Sequence, residues 1–453
     1  MIDQREQAGC IAVLGAGRSG VAAAALSLKL APRVVVLDGG DPAKLAKAAA
    51  RFHEMGVETV FGPAADRFEG AVDYVVQSPG IDPRLPIVRQ FLDRGVPVIG
   101  EIEFAYRHFS APIIAITGTN GKTTTTEMIG AVLCHAGLRV ECAGNYGVPF
   151  SEIVLHDEPH DAVSLEVSSF QLELIERFRP KVAIWLNFAP DHMDRYETLE
   201  EYRAAKARIF ANMGPEDRIV IQTPIASFAD GLSAPKVTFS AFGDGDYTYA
   251  DGWIFFRGER IFDFAATRLR GVHNAENVMA VLASVRELGI TPETVAAALR
   301  DYCAPSHRCE LVGEIGGHEF INDSKATNLH ALESSLRGQL EPVILIAGGK
   351  DKGLDFTEIR DALPGKVSHA VLIGEIREKI ARDWDGVVPC SLAGTLADAI
   401  EEALRRARPR QTILLSPGTS SFDMFTSYED RGDSFRREVQ RRQTSGGAGR
   451  EIV

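Results

Sequence analysis

Residues Ile113 to Thr126 read IIAITGTNGKTTTT, an apolar run, a loop holding Gly118 and Gly121, and a threonine-rich helix start. A short run that is apolar throughout fits a strand buried on both faces of a parallel sheet. Glycines in the following loop let backbone N–H groups close around phosphate oxygens, and the helix N-terminus adds positive potential. Lys122 is placed to reach the outer phosphates of ATP and the Thr123 hydroxyl to ligate Mg²⁺. Ile116 stands five residues before Gly121, where the general nucleotide loop has glycine, so this is the shorter GTNGKT form. Gly118, Thr119, Asn120, Gly121, Lys122, Thr123 and Thr124 are the candidate ATP contacts. The helical pattern continues through Met128, Ile129 and Val132. A turn before a helix is the alternative for an isolated GKT, and the strand in front of it favours ATP.

The 453 residues leave room for two to four domains. No apolar run reaches the ~18 residues of a membrane span. The N-terminus MIDQREQAGC lacks the basic start, apolar stretch and cleavage site of a signal peptide, which predicts a cytoplasmic protein. Cys10, Cys134, Cys142, Cys303, Cys309 and Cys390 form no CxxC pair, which argues against a disulfide framework and a thiolate metal site. A net charge of −13 opposes nucleic acid as the main partner.

Upstream, CIAVLGAGRSGVAAAA sets Gly15, Gly17 and Gly20 after an apolar strand, and a second strand from Val34 to Leu37 ends on Asp38. That is a dinucleotide-type turn open to a diphosphate, of NAD or of a nucleotide sugar. A strand over Val72 to Val76 leads to the turn Ser78 to Ile81, where Ser78 and Gly80 either bind a ligand or serve the turn. The pattern PVIGEIEF predicts the domain's last strand, with a boundary near Gly100.

Three polar constellations follow the phosphate loop. GNYG at Gly144 to Gly147 is a tight turn in which Asn145 meets a substrate or caps the turn. Glu166 sits in the strand-like run SLEV, a costly place for a carboxylate without a cation or donor. Asp191, His192 and Asp194 follow the strand Val182 to Leu186. Further on, GVHNAEN places His273, Asn274 and Asn277 on one helix face. The span 214–269 reads as a small β excursion, LVGEIGGHEFIND as strand, turn and strand, and 342–349, 370–374 and 412–416 as strands of a further sheet.

Taken in order, GTNGKTT, LEVSSFQLE, NFAPDHMDRY, YRAAKARIF, GVHNAENVMA, SHRCE and INDSKATN resemble the Mur ligases, ATP-dependent amide-forming enzymes of peptidoglycan synthesis. The resemblance covers nearly the whole chain. It implies an α/β protein of three domains with mostly parallel sheets: a Rossmann-like nucleotide-sugar domain over 1–100, a central P-loop ATPase domain over 101–304 and a Rossmann-like amino-acid domain over 305–453. The tail from about residue 441 is polar, glycine-rich and predicted to be disordered.

The resemblance also implies two Mg²⁺ ions, with Thr123 and Glu166 at one and His192 and Lys206 at the other, and a Lys206 carbamoylated by CO₂. Spacing alone favours a solvated helix lysine at Lys206. Asn274, Asn277, Arg308 and Asp323 match ATP-contacting positions, and a helix cap is the alternative for Asn274. Lys325 matches a catalytic position near the transferred phosphate, beside Lys122, His192 and Lys206. Arg18, Ser19, Asp38, Ser78, Gly80, Asn145, Ser168 and Gln171 are implied for a UDP-sugar, UDP-N-acetylmuramoyl-L-alanine. Thr327, Lys352, Ser421, Phe422 and Tyr428 are implied for D-glutamate. Phe422 and Tyr428 depart from the family pattern, which has leucine and phenylalanine there. The partners expected are these small molecules, with no nucleic acid and no membrane, and the enzyme is expected to be a monomer. Outside this family, a folylpolyglutamate synthetase would share the ATPase core but lack the N-terminal glycine-rich domain. An NAD-dependent dehydrogenase would leave the GTNGKTT loop unexplained.

Overall fold

A computed structural model describes residues 8–156, 158–193, 195–303, 306–339 and 341–447. Asp194 and the expected third-domain start at Pro305 lie outside them. The first sheet comprises β1 (Cys10–Leu14), β2 (Arg33–Asp38), β3 (Glu58–Phe61), β4 (Tyr74–Gln77) and β5 (Val98–Gly100). Its order is β3-β2-β1-β4-β5, all parallel. Ile11 to Leu14 and Val35 to Leu37 have no exposed surface, as strands covered on both faces require. Strand order reverses beside β1, so a crevice opens at the carboxyl ends of β1 and β4. β4 starts two residues later than the apolar run at Val72, because Asp73 turns its carboxylate to the N–H groups of Gly9 and Cys10, at 2.7 and 2.9 Å.

In the second sheet, β6 (Ile113–Thr117), β7 (Val140–Gly144), β8 (Ala162–Glu166), β9 (Val182–Trp185), β10 (Arg218–Gln222) and β11 (Lys236–Ser240) run parallel in the order β11-β10-β9-β6-β8-β7. β6 is central, with β8 on one side and β9 on the other, so its carboxyl end again lies where the order reverses. Ile114 to Ile116 are fully buried. The helix Glu101–Tyr106 joins the two sheets through carboxylates. Glu103 Oε2 accepts from the N–H groups of Glu176, Arg177 and Phe178 at 2.9 to 3.0 Å. Glu101 accepts from Ser151 N–H at 2.6 Å, and burial pushes its carboxyl above the usual range.

The chain divides into two compact units, Met1–Tyr247 with Met279–Ala298, and Thr248–Val278 with Leu299–Val453. Of the span 214–269 read as a β excursion, β10 and β11 belong instead to the parallel sheet. The excursion is β12 (Tyr247–Ala250), β13 (Trp253–Phe256) and β14 (Glu259–Asp263), the last two an antiparallel hairpin. The third sheet contains β15 (Glu310–Ile315), β16 (His318–Asn322), β17 (Val343–Gly348), β18 (Val367–Ile373), β19 (Cys390–Leu392) and β20 (Ile413–Leu415), ordered β15-β16-β20-β17-β18-β19. β15 and β16 form the antiparallel pair that LVGEIGGHEFIND predicts, and the rest is parallel.

The expected disorder from about residue 441 is corrected for 441–447, and 448–453 lie outside the described residues. The helix Tyr428–Gly447 continues through that point. Arg442 donates to the Ala397 carbonyl at 3.0 Å and Gln443 to that of Glu314 at 2.9 Å, so tertiary contacts override the weak helix preference of the composition. The six cysteines are free thiols. Among the described residues no helix is long and apolar enough to cross a membrane.

Candidate active site

β6 delivers the chain to Gly118, at φ 151°, and Gly121, at φ 83°, before the helix Lys122–His135 begins. A Cβ at Gly118 would stand 3.1 Å from Leu186 Cβ, so both backbone angle and space select glycine there. Asn187, the second residue past β9, splints this loop. Its Oδ1 accepts from the N–H groups of Thr119 and Asn120 at 3.1 and 2.9 Å, and its Nδ2 donates to the Asn120 carbonyl at 3.1 Å. Thr119 and Asn120 therefore turn their N–H groups to Asn187. The sequence places Asn187 after a strand, but nothing in its spacing reveals that it faces the loop.

Lys122, half-buried, donates to the carbonyls of Gly118 and Thr119, both at 2.9 Å. Lys206, in the helix Leu199–Ala207, donates to the same Gly118 carbonyl at 2.9 Å. The solvated lysine favoured by spacing is overturned here: Lys206 is 2% exposed, with its ammonium 4.7 Å from the Tyr202 ring centroid. Burial, reinforced by repulsion from Lys122, holds its pKa well below that of an ordinary lysine, and Asp191 and Glu166 oppose the shift only in part.

Glu166 ends β8, 2% exposed, with Oε1 accepting from Asn145 Nδ2 at 2.7 Å and Oε2 buried without a partner. Asn145, expected on the nucleotide sugar, gives its side-chain amide to Glu166, and its N–H goes to the Glu166 carbonyl at 2.9 Å. The GNYG turn thus aims a carboxylate oxygen. Ser168 and Gln171, also expected on the sugar, close a capping box at the helix Ser169–Leu172. His192 sits at φ 57° with its ring 4.9 Å from that of Phe170 and its Nε2 3.8 Å from Asp191. The side chain is 43% exposed, so the ring remains accessible.

At the first sheet, a Cβ on Gly15 would meet Ser78 Oγ at 2.9 Å, and one on Gly20 would meet the Gly15 carbonyl at 1.8 Å. Both glycines are demanded by close packing of strand, turn and helix. Asp38 accepts from Ala16 and Gly40 N–H groups, each at 2.8 Å, and with Gly80, Asp66, Ile81 and Leu85 it lines a cleft of about 350 Å³. Two carboxylates make this cleft a better seat for a base and ribose than for a phosphate. Arg18 bonds the Gly147 carbonyl at 2.8 Å, and half-buried Ser19 follows it at the helix start.

In the second unit, Asp323 accepts from Ser416 Oγ at 3.0 Å, from Cys309 N–H at 3.3 Å and from Ser335 Oγ. Burial pushes its carboxyl up to about 6. Asn277 Nδ2 donates to Asn274 Oδ1 at 3.1 Å, and Asn274 Nδ2 to the Arg270 carbonyl at 2.8 Å, so Asn274 braces the turn before its helix. Lys325 holds its ammonium 3.8 Å from the Tyr428 ring centroid. Arg308 is half-buried, within electrostatic reach of Asp323.

Lys352 is exposed and touches the Thr327 carbonyl at 3.4 Å, and Phe422 is 69% exposed. Ser421 is buried with its Oγ unpartnered. Arg431, which the sequence does not single out, is 1% exposed and donates to Ser324 Oγ, the Ser324 carbonyl and the Thr419 carbonyl at 2.9, 2.9 and 3.1 Å. Its Nη1 is buried and unpartnered, 3.2 Å from where a Gly349 Cβ would stand. It stands in the polar run YEDRG, and only the fold shows its burial.

Family models match three consecutive stretches: the Mur ligase MurD-like N-terminal domain at residues 9–100, the Mur ligase middle domain at 116–285 and the Mur ligase glutamate ligase domain at 307–418. A UDP-N-acetylmuramoylalanine--D-glutamate ligase of Desulfitobacterium hafniense is 40% identical, covering 95% of this chain and 97% of its own. The protein of that name from Syntrophus aciditrophicus is 38% identical, covering 94% and 97%. Among solved structures, the MurF ligase of Thermotoga maritima in complex with ADP superposes with a TM-score of 0.60 at 15% identity, covering 98% of this chain and 100% of that one, a likeness of fold. With three sheets in this order, a splinted phosphate loop after β6 and relatives alike along nearly their whole length, the chain belongs to the Mur ligase family.

Proposed function

We propose that this chain joins D-glutamate to UDP-N-acetylmuramoyl-L-alanine at the expense of ATP, as a cytoplasmic monomer supplying peptidoglycan precursors. The relatives named for that reaction support the reading. The observation that carries it is the convergence of Lys122 and Lys206 on the Gly118 carbonyl, within electrostatic reach of a buried carboxylate whose second oxygen is bare.

A carboxylate oxygen of the acceptor attacks the γ-phosphorus of ATP and ADP leaves, giving an acyl phosphate. The amine of D-glutamate attacks the acyl carbon, and phosphate departs with the carboxylate oxygen. Lys122 and the first turn of its helix neutralise charge on the transferring phosphoryl group, so positioning and electrostatics carry the catalysis. The cleft at Asp38 and Gly80 receives the uridine, with Arg18, Ser19 and Ser78 at the diphosphate. Arg308, Asp323, Asn274 and Asn277 serve the nucleotide of ATP. Lys352, Thr327 and Ser421 hold the carboxylates of D-glutamate, with Phe422 and Tyr428 beside them and Lys325 near the phosphate.

Two Mg²⁺ ions fit the donor set. The orphaned Glu166 Oε2 and the Thr123 hydroxyl offer hard oxygens for one, and His192 with a carbamate on Lys206 would hold the other. When bound, the ions supply positive charge against the phosphate oxygens. An ammonium at Lys206 would repel such a site by several kcal/mol, ~3 kcal/mol per unit charge at ~5 Å and an effective dielectric of ~20. Burial lowers the proton affinity of this amine, which favours the unprotonated form that adds to CO₂ and then loses a proton to leave an anionic carbamate.

A dehydrogenase falls with the family assignment. A folylpolyglutamate ligase is disfavoured by the match at residues 9–100. Phosphate release from ATP should require both the UDP-sugar acceptor and D-glutamate. Equal release with L-glutamate, or with a folate in place of the UDP-sugar, would refute the proposal.

A further inference from the structure

Away from the phosphate loop, a second group of side chains converges on one point. Glu141 is the second residue of β7, and His156 and His160 follow the helix Phe150–Val154. His156 Nδ1 lies 2.8 Å and His160 Nε2 3.0 Å from the same oxygen, Oε1 of Glu141. The three atoms all stand within 4.8 Å of one another, and the rings stack at 5.8 Å and 29°. The His160 side chain is 5% exposed and flanked by the Phe109 ring at 6.1 Å, while Glu141 and His156 are 37% and 39% exposed. One ligand is therefore fixed by packing, and the opposite side admits water.

We infer that Glu141, His156 and His160 form a binding site for one divalent ion of the zinc class. Two imidazole nitrogens and a carboxylate oxygen are a recognised zinc donor set that leaves a position open. Metal–ligand bonds of ~2.1 Å set tetrahedral donors ~3.4 Å apart, so small side-chain rotations suffice. Among the described residues no lysine or arginine pairs with Glu141, and the neighbouring acids are engaged: Asp161 accepts from Arg139 N–H and Glu158 pairs with the Arg139 guanidinium. Each imidazole binds through a lone pair, and a proton on that nitrogen moves to the other ring nitrogen or leaves to solvent. Mg²⁺ prefers an all-oxygen shell and is a poor occupant.

The site is distinct from the ATP-side carboxylate. Glu141 pairs with Val163 and Gly144 with Glu166, three residues further along, ~10 Å at strand rise. β7 is the last strand in the order of its sheet, so the ion would fasten His156 and His160 to an edge strand through Glu141.

The full chain, stripped of metal and then kept in excess Mg²⁺, tests this by calorimetric titration with Zn²⁺ and by visible absorption with Co²⁺. One Zn²⁺ per chain, d–d bands from nitrogen-ligated Co²⁺ and a Zn²⁺-dependent rise in the thermal transition are expected. His156→Ala and His160→Ala should each weaken binding at least ~tenfold, and His192→Ala should leave it unchanged. His160→Gln, whose amide still reaches Glu141, supplies a folded counterpart with the same loss. The inference is overturned if the wild-type chain takes up neither ion, if the doubly substituted His156→Ala, His160→Ala protein binds as wild type does, or if His192→Ala abolishes uptake.

Discussion

The phosphate loop of the first unit and the loops around Ser421 in the second are built on opposite principles. Thr119, Asn120 and Lys122 are held by Asn187 and by loop carbonyls, so the shape of the loop is set before any ligand arrives. Around Ser421, two donors stand without partners, Ser421 Oγ and Arg431 Nη1, both buried, while exposed Lys352 makes one long contact of 3.4 Å to the Thr327 carbonyl. Burying an unpaired donor costs ~1 to 3 kcal/mol, so such groups point to a ligand that completes them. In the proposed function, the first region positions chemistry and the second selects a substrate.

That contrast breaks most easily at Lys122. Lys122→Ala should lower phosphate release by about 100- to 1000-fold or more, while thermal melting moves far less, since Lys206 still donates to the Gly118 carbonyl that Lys122 gives up. Near-normal turnover would remove the loop from the mechanism. At Lys206 the prediction is a matter of charge. Lys206→Ala should be nearly inactive, with activity partly restored by formate or acetate. Lys206→Arg should be inactive and resist that rescue, because the guanidinium keeps its charge and fills the space. An active arginine variant, or an unmodified lysine in the mass spectrum of active enzyme, would contradict the carbamate.

For the second region, Lys352→Ala should raise KM for D-glutamate by about ten- to a hundredfold, the loss of one charge-assisted contact of ~1.5 to 3 kcal/mol, and leave KM for ATP alone. An equal rise in both constants would mean that Lys352 does not read the amino acid.

Much of this organisation was legible in the sequence, and its gaps have physical causes. Continuous apolar runs at Ile113 to Ile116 and Val343 to Ala347 declare buried parallel strands, because they are short, rich in β-branched residues and followed by glycine turns. Glycine positions declare Gly15 and Gly118, because few backbones take those angles or spacings. Lys206, Arg431 and Asn187 were misread or unmarked because local pattern reports which face of a helix a residue occupies, and only the tertiary fold decides what covers it. The tail helix failed for the same reason: its glycines and polar residues argue for disorder until Arg442 and Gln443 find partners.

A smaller effect separates two desolvated groups of the second unit by sign. Asp323 titrates near 3.8 when unfolded and about 6 in the fold, so it keeps a proton the unfolded chain releases, and its contribution to stability falls as pH rises from about 4 to about 6. His273, half-buried with its Nδ1 shut away from solvent, is pushed by desolvation from 6.5 down to about 4, so its contribution falls as pH drops through that range. The two slopes oppose each other. Asp323→Asn should make the melting temperature climb more steeply with pH between about 4 and 6, and His273→Gln should tilt it the other way. Identical profiles for both variants and wild type would show that neither group is titrated by its burial.

The central claim is that the first unit transfers phosphate to a carboxylate before any amide forms. Acceptor labelled with ¹⁸O in the terminal carboxylate, turned over with unlabelled ATP and D-glutamate, tests it directly through the mass of the released phosphate. Attack of the carboxylate on phosphorus, followed by expulsion of that oxygen from the acyl carbon, predicts one ¹⁸O in each phosphate. Phosphate free of label, formed at the same rate as the amide, would contradict the account.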